Sequence, residues 1–303
     1  MFFLQASSIS KCVKEKFLPH SRGEVWDVFS RALNIIGENG EFIGMSEPEA
    51  MNNPIALLVP ESSACLPQCS PGMKVHFSGD SLRIDNALTV FFHRASVFDP
   101  LLRLQAPLLP FCVIRDRLRS ISIFSFYGKG GVGDLIPYYE RLTQGMLPQV
   151  KVSTWAEILA PHLAGLCTGL ITGNIEEVRR LIYRIVGTGI GLTPSGDDVL
   201  IGLFGSLKVF LHENGMRDCH TKLFPDESWI KGTTPLSKAL LMHSLRRELS
   251  EGLGNVLRGL LTEKAPLEDA LKQLLSLGAT SGEDTLLGVL LGVGVGLQLF
   301  DSN

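Results

Sequence analysis

The chain is 303 residues long, with 45% hydrophobic and 19% charged residues and a formal net charge of −3. Single hydrophobic cores stop growing near roughly 250–300 residues, so this is one large domain or two ordinary ones, with no need of disulfide staples or a structural metal. Its apolar content excludes a disordered chain, and its charge leaves no basic footprint for nucleic acid and no polybasic patch for a membrane.

The first residues, Met1-Phe2-Phe3-Leu4, give way to polar ones too soon for a signal peptide, which needs a cationic start and about 7–15 apolar residues. The most apolar run, 285–300, is shorter than the roughly 18 residues that argue for a membrane span and reads as a buried core helix. Of six cysteines, only Cys65 and Cys69 are close in sequence. A lone pair without a second pair or a nearby histidine is not a zinc site, so reduced thiols and a cytoplasmic location are expected.

The first third reads as β-rich. Runs at 32–36 and 41–45 flank Gly37-Glu38-Asn39-Gly40, and Asn-Gly is the strongest short hairpin signal because both residues tolerate positive φ. Short runs follow at 55–59, 73–77, 81–84 and 88–93, separated by turn residues. Residues 24–29 fit a helix or a strand equally. The spacing predicts a small antiparallel barrel or sandwich. Beyond Asp99-Pro100, Pro107 and Pro110 mark a boundary, placing a β-rich domain at 1–110 and a helical one at 111–303. Apolar residues at helical spacing predict helices over 135–146, 154–168, 175–186, 196–211, 235–261, 267–277 and 282–300. The fold class is therefore α+β.

The chemistry concentrates in Gly187-Thr188-Gly189-Ile190-Gly191-Leu192-Thr193-Pro194-Ser195-Gly196-Asp197-Asp198. Three alternating glycines admit positive φ and close approach to a ligand. Ser195 has the sequence position of a helix N-cap, with Asp198 three residues on closing a capping-box-like pair. A glycine loop feeding a helix N-terminus also offers N–H groups and the positive dipole end to an anion. Ser195 and Asp198 either cap a helix and do nothing else, or take part in a site.

Residues 195–202 recur 86 positions later: Ser195-Gly196-Asp197-Asp198 aligns with Ser281-Gly282-Glu283-Asp284, and Leu200 and Gly202 with Leu286 and Gly288. Two helix N-termini facing one cleft would bring together Asp197, Asp198, Glu283 and Asp284, a set that repels itself unless a cation such as Mg²⁺ or a cationic substrate group lies between. The alternative is two equivalent capped helices in a pseudo-symmetric bundle. Gly288, Gly292 and Gly296 recur on one helical face and suit close packing of helix backbones. Thr233-Thr234-Pro235 opens another helix, with its hydroxyls either capping or binding.

Other motifs fail. In Phe126–Asp134 an aspartate stands where a phosphate-binding loop needs lysine. The seven histidines show no ligand spacing. There is no G-x-S-x-G elbow, and Ser195 has no assignable base.

The two acidic motifs, with 29–34, Gly72-Met73 and Thr233-Thr234, make the chain resemble the AllH family linked to oxamate carbamoyltransferase. The resemblance spans most of the chain and is looser in its first third. It carries the family's positions onto Gly191, Leu192, Thr193, Pro194, Ser195, Asp197, Asp198, Thr280, Ser281, Gly282, Asp284 and Thr285. It implies a subunit, open to self-association, that works with AllF-like and AllG-like partners in anaerobic allantoin degradation, converting oxalurate and phosphate into oxamate and carbamoyl phosphate. On that reading Asp198 and Asp284 are the catalytic candidates. Gly189, Gly191, Thr193, Ser195, Gly196, Thr280, Ser281 and Gly282 would bind substrate. Asp197, Asp198, Glu283 and Asp284 would hold any Mg²⁺. A non-catalytic assembly or ligand-sensing subunit, and a stand-alone hydrolase, remain the rival readings.

Overall fold

The computed structural model describes residues 1–16, 21–123, 130–216 and 224–301. They form two compact units, Met1–Leu101 with Leu249–Glu251, and Leu102–Glu248 with Gly252–Asn303. The histidines and cysteine expected at 20, 219 and 220, and the glycine motif up to residue 129, lie outside the described residues.

In the first unit the strands are β1 (Phe2–Gln5), β2 (Ser8–Ser10), β3 (Arg22–Val28), β4 (Ala32–Gly37), β5 (Phe42–Ser46), β6 (Ala56–Leu58), β7 (Lys74–Ser78), β8 (Ser81–Ile84), β9 (Leu88–Phe91) and β10 (Ser96–Phe98), with a short helix α1 (Lys11–Lys16). They make one sheet in the order β1-β9-β8-β7-β3-β4-β5-β6-β2-β10. Consecutive β1 and β2 lie at one end and next to the other, where β10 is the last strand, so the sheet curls back on itself. The Ala6 N–H donates to Phe91 O, and the next residue, Ser7, donates to Leu58 O on the other side of the curl.

The Asn-Gly hairpin forms, with Ile35 opposite Ile43 and Gly40 at φ +82°. Residues 24–29, open between helix and strand, fall largely in β3, whose Val25 enters the core with Ile35, Ile43, Val75 and Ile84. The expected antiparallel sheet is in fact mixed, because β1–β9, β2–β10 and β5–β6 pair in parallel. Parallel pairs need long connections. The turns at Pro48–Ala50 and beyond carry the chain from the end of β5 back to the start of β6.

The second unit is helical: α2 (Phe111–Ile123), α3 (Tyr139–Thr143), α4 (Thr154–Thr172), α5 (Ile175–Ile185), α6 (Ser195–Glu213), α7 (Pro235–Ser244), α8 (Glu251–Leu261), α9 (Leu267–Leu275) and α10 (Ser281–Asp301). The whole is α+β. Two predicted helices are broken. At 135–146 a tight turn over Gly133–Tyr138 precedes α3, since Pro137 lacks the N–H that a helix interior uses. The stretch 235–261 divides into α7 and α8, and Arg247 between them takes a left-handed φ of 64°.

α6 and α10 are the centre of this unit. A Cβ on Gly202 would collide with Thr285 O, one on Gly288 with Val199 O, and one on Gly292 with Leu203 O. The glycine stripe therefore lets the two backbones touch. α10 has the length and apolarity to cross a membrane, yet it is buried within the unit along nearly its whole length.

Candidate functional site

Packing α6 against α10 at glycine contacts puts their first turns side by side. The Thr193 and Ser281 hydroxyls are 3.1 Å apart. The two repeats are built alike beneath them. A Cβ on Gly196 would collide with the carbonyl oxygen of Ile185 at the end of α5, and one on Gly282 with that of Leu274 at the end of α9. Each repeat is thus a helix hairpin whose second helix begins against the last turn of the first.

The expected N-cap at Ser195 is corrected. Pro194 is the cap residue and Ser195 is the first helical residue, so Ser195 and Asp198 form no capping box. The N–H groups of Asp197 and Asp198 are satisfied by Pro194 O, and that of Asp284 by Thr280 O. Freed from capping, the side chains reach across to the other helix. The hydroxyls of Ser281 and Thr193 bond toward the Asp198 carboxyl. Those of Ser195 and Thr280 bond toward Asp284. Each aspartate is therefore held by the serine of the opposite motif.

Both aspartates are deeply buried, Asp198 at 4% exposure and Asp284 at 0%. Burial pushes the Asp198 carboxyl well above the usual carboxylate range, the Asp284 charge adds to this, and the two hydroxyls only partly oppose it. Burial raises Asp284 as well, against the Val132 N–H and the Ser195 and Thr280 hydroxyls. Oδ2 of each aspartate is enclosed without a hydrogen bond. A carboxyl shielded from water and facing a second one holds a proton that an exposed aspartate has lost.

The other two acids serve different partners. Asp197 accepts from the Gly187 N–H at 2.8 Å and from the Thr233 hydroxyl. It ties the glycine loop to the start of α7, where Thr234 caps the helix by accepting from the Ser237 N–H at 3.1 Å. Burial raises Asp197 too, against those bonds. Glu283 is buried beside Gly133, whose Cβ would lie 2.5 Å from Oε2. Among the described residues, no three of these four acids bring an oxygen each within 4.8 Å of one another. Mg²⁺ demands octahedral oxygen ligation. The four acids therefore do not converge on one point as an Mg²⁺ site made of all of them would ask, although Oδ2 of Asp198 and of Asp284 is buried without a hydrogen bond.

The glycine loop precedes α6 and is exposed at residues 190–192. Gly187, Gly189 and Gly191 have φ of +73°, +127° and +93°. A Cβ on Gly189 would sit 2.5 Å from the Ser195 nitrogen, so only glycine fits there. The helix-terminal N–H groups expected to be free are mostly used: Gly196 N–H donates to Thr188 O, and Gly282 N–H to Leu277 O. The free donors have moved into the loop. Among the described residues, the N–H groups of residues 189–193 make no hydrogen bond. The Ile190 side chain above them is 75% exposed.

One element escaped the sequence reading. The Val132 N–H donates to Asp284 Oδ1 at 2.7 Å, from the glycine-rich segment set aside as a failed phosphate loop. Its signal was the run of glycines; its purpose was invisible without the fold. Two hollows elsewhere, of about 630 Å³ beside Arg22, Trp26 and His76 and about 340 Å³ beside Pro161 and Thr168, are lined by no buried titratable group.

Fold and site together define an α+β protein whose helical unit carries a duplicated hairpin with a buried carboxyl pair. The chain belongs to the AllH family. The AllH N-terminal domain matches residues 5–97, and the oxamate carbamoyltransferase subunit AllH matches residues 185–293, which contain both acidic motifs. No curated protein and no solved structure matches it.

Proposed function

We propose that this chain is a cytoplasmic subunit of an oxamate carbamoyltransferase and that the α6–α10 pair forms its reaction site. There oxalurate and phosphate would give oxamate and carbamoyl phosphate, with AllF-like and AllG-like subunits completing the enzyme. The carrying observation is the Asp198–Asp284 pair, buried, raised and cross-held by hydroxyls of the opposite helix.

The chemistry follows from what the bond change needs. A phosphate oxygen attacks the carbamoyl carbon of oxalurate, and the bond from that carbon to the oxamate nitrogen breaks. The leaving nitrogen must take a proton. A carboxyl kept neutral by burial supplies it, and the proton that phosphate gives up restores the carboxyl. Such acid catalysis contributes typically 10²–10⁴-fold. The N–H groups of 189–193 suit the anionic oxygens, since preorganised donors stabilise charge without reorganising.

The test is the assembled enzyme carrying Asp198→Asn or Asp284→Asn, with binding to the isolated chain followed by thermal shift. A ligand at a hundredfold excess over Kd adds about 2.7 kcal/mol to stability. Shifts with phosphate, carbamoyl phosphate or oxamate, and loss of turnover in both variants, support the reading. Full turnover in either variant rejects it.

The second reading is an assembly subunit with the reaction centre in a partner. It is favoured by Ile190 and Leu192, aliphatic side chains standing in solvent on the loop as a protein contact requires. Partner binding with no ligand shift would select it.

A further inference from the structure

The residues that open α7 do more than cap a helix. A cap needs only an oxygen that accepts from a helix N–H, and an aspartate or asparagine serves as well as a threonine. Thr234 does that job, accepting from the Ser237 N–H at 3.1 Å. Its proton goes elsewhere: the Thr234 hydroxyl donates to Leu192 O at 2.6 Å, 42 residues back along the chain. The buried Ser237 hydroxyl donates to the same carbonyl at 3.4 Å. A hydroxyl has one proton and two lone pairs, so it can cap a helix and hold a carbonyl at once.

Leu192 O belongs to the glycine loop before α6. A peptide unit is planar and trans, so its C=O and N–H point in opposite directions. With Leu192 O drawn onto the start of α7, the Thr193 N–H points away from α7, and among the described residues it makes no hydrogen bond. The Thr193 side chain is held separately, its hydroxyl 3.1 Å from that of Ser281 in α10. The other end of the loop is tied to the same segment. The Gly187 N–H donates to Asp197 Oδ1 at 2.8 Å, Asp197 also accepts from the Thr233 hydroxyl, and a Cβ on Gly187 would collide with Gly232 O. Between these anchors Gly189 and Gly191 take φ of +127° and +93°, and glycine imposes no preference of its own on the sign of φ. The direction of the loop donors is therefore set from outside the loop, by residues 232–237.

We infer that Thr234 is a positioning residue of the anion site: its hydroxyl holds the Leu192–Thr193 peptide so that the Thr193 N–H is presented to a phosphate oxygen. The inference rests on the reading above, in which the N–H groups of 189–193 receive the anionic oxygens. Thr234 acts through Leu192 and not on the substrate. What it supplies is preorganisation, since a donor already turned toward the anion needs no reordering when the anion arrives.

The experiment is a calorimetric titration of the full chain with inorganic phosphate, well below the unfolding temperature, for the parent, Thr234→Val and Thr234→Ser. Valine keeps the shape and removes the hydroxyl, and it should raise the Kd for phosphate about tenfold, the worth of one hydrogen bond. Thr234→Ser should bind as the parent does. In the assembled enzyme Thr234→Val should raise KM for phosphate and leave kcat within about twofold, the pattern of lost binding that ground and transition states share. A threonine that only caps would lower Tm and leave the phosphate Kd where it was. Should the valine variant not fold, Thr234→Gly removes the same hydroxyl at a position where helix starts accept glycine. Unchanged phosphate affinity without the hydroxyl, or a serine variant as weak as the valine one, overturns the inference and leaves the anion reading standing. A parent chain that takes up no phosphate overturns both.

Discussion

The α5–α6 and α9–α10 hairpins show how a repeat diverges into two jobs. They share the motif, the glycine at the second helical position, the close approach to the preceding helix, and an aspartate that takes hydroxyl bonds from the opposite motif. They differ in what surrounds that core. Residues 186–194 join the first pair and carry exposed Ile190 and Leu192, while only 276–280 join the second. The first motif's extra acid secures the glycine loop and α7, and the second motif's lies against Gly133. Duplication supplies the matched carboxyls; the unmatched neighbours make them chemically distinct.

The comparison breaks most completely where the two repeats touch. Gly288→Ala drives a Cβ into Val199 O, and Gly202→Ala drives one into Thr285 O. Because backbone is met, neither clash can be relieved by a side-chain rotation, and each variant should lose about 3 kcal/mol or more, at or beyond the upper end of ordinary overpacking. Chemical denaturation measures this, and a loss under about 1 kcal/mol would mean that the helices are not in backbone contact.

Next in size is activity. Asp198→Asn keeps the shape of a neutral carboxyl and should leave folding intact while lowering kcat of the assembled enzyme by 10²-fold or more, as expected for a lost general acid.

Stability against pH sharpens the same point. The folded-state values of Asp198 and Asp284 are raised, chiefly by burial, above the unfolded aspartate value of about 3.9. The folded chain therefore binds more protons than the unfolded one. The stabilisation this brings is complete below pH of about 3.9 and is lost as pH rises through the raised values. Asp198→Asn should flatten this part of the decline in a plot of Tm against pH. An unchanged slope would mean that Asp198 does not hold its proton.

Thr233→Val is a smaller test of the extra acids. It takes a hydroxyl from buried Asp197 and should cost about 1–3 kcal/mol. Smallest is Ile190→Ser, which touches an exposed side chain and should stay within roughly 0.5 kcal/mol of the parent in denaturation.

Local rules set by single residues were legible along the chain. The Asn39-Gly40 turn, the short runs that flank it in β4 and β5, the helical periodicity of α4, α5 and α6, and the proline that opens α7 all rest on near neighbours. The repeat was legible too, since Ser195-Gly196-Asp197-Asp198 and Ser281-Gly282-Glu283-Asp284 are a matter of spelling. Parallel pairing of β1 with β9 was not, because it joins residues more than eighty positions apart. Nor was the exchange of hydroxyls between the two motifs. Ser195 fits a cap as well as it fits a ligand for Asp284, and only the meeting of α6 with α10 chooses.

By itself, then, the sequence determined the α+β order, the duplicated motif and the glycines that admit close packing, because each follows from steric or periodic rules acting within a few residues. Tertiary structure alone decided which carboxyl faces which donor. Protonation depends on burial and on groups within a few ångströms in space, and for Asp284 one of those groups is the N–H of Val132, 152 residues away along the chain.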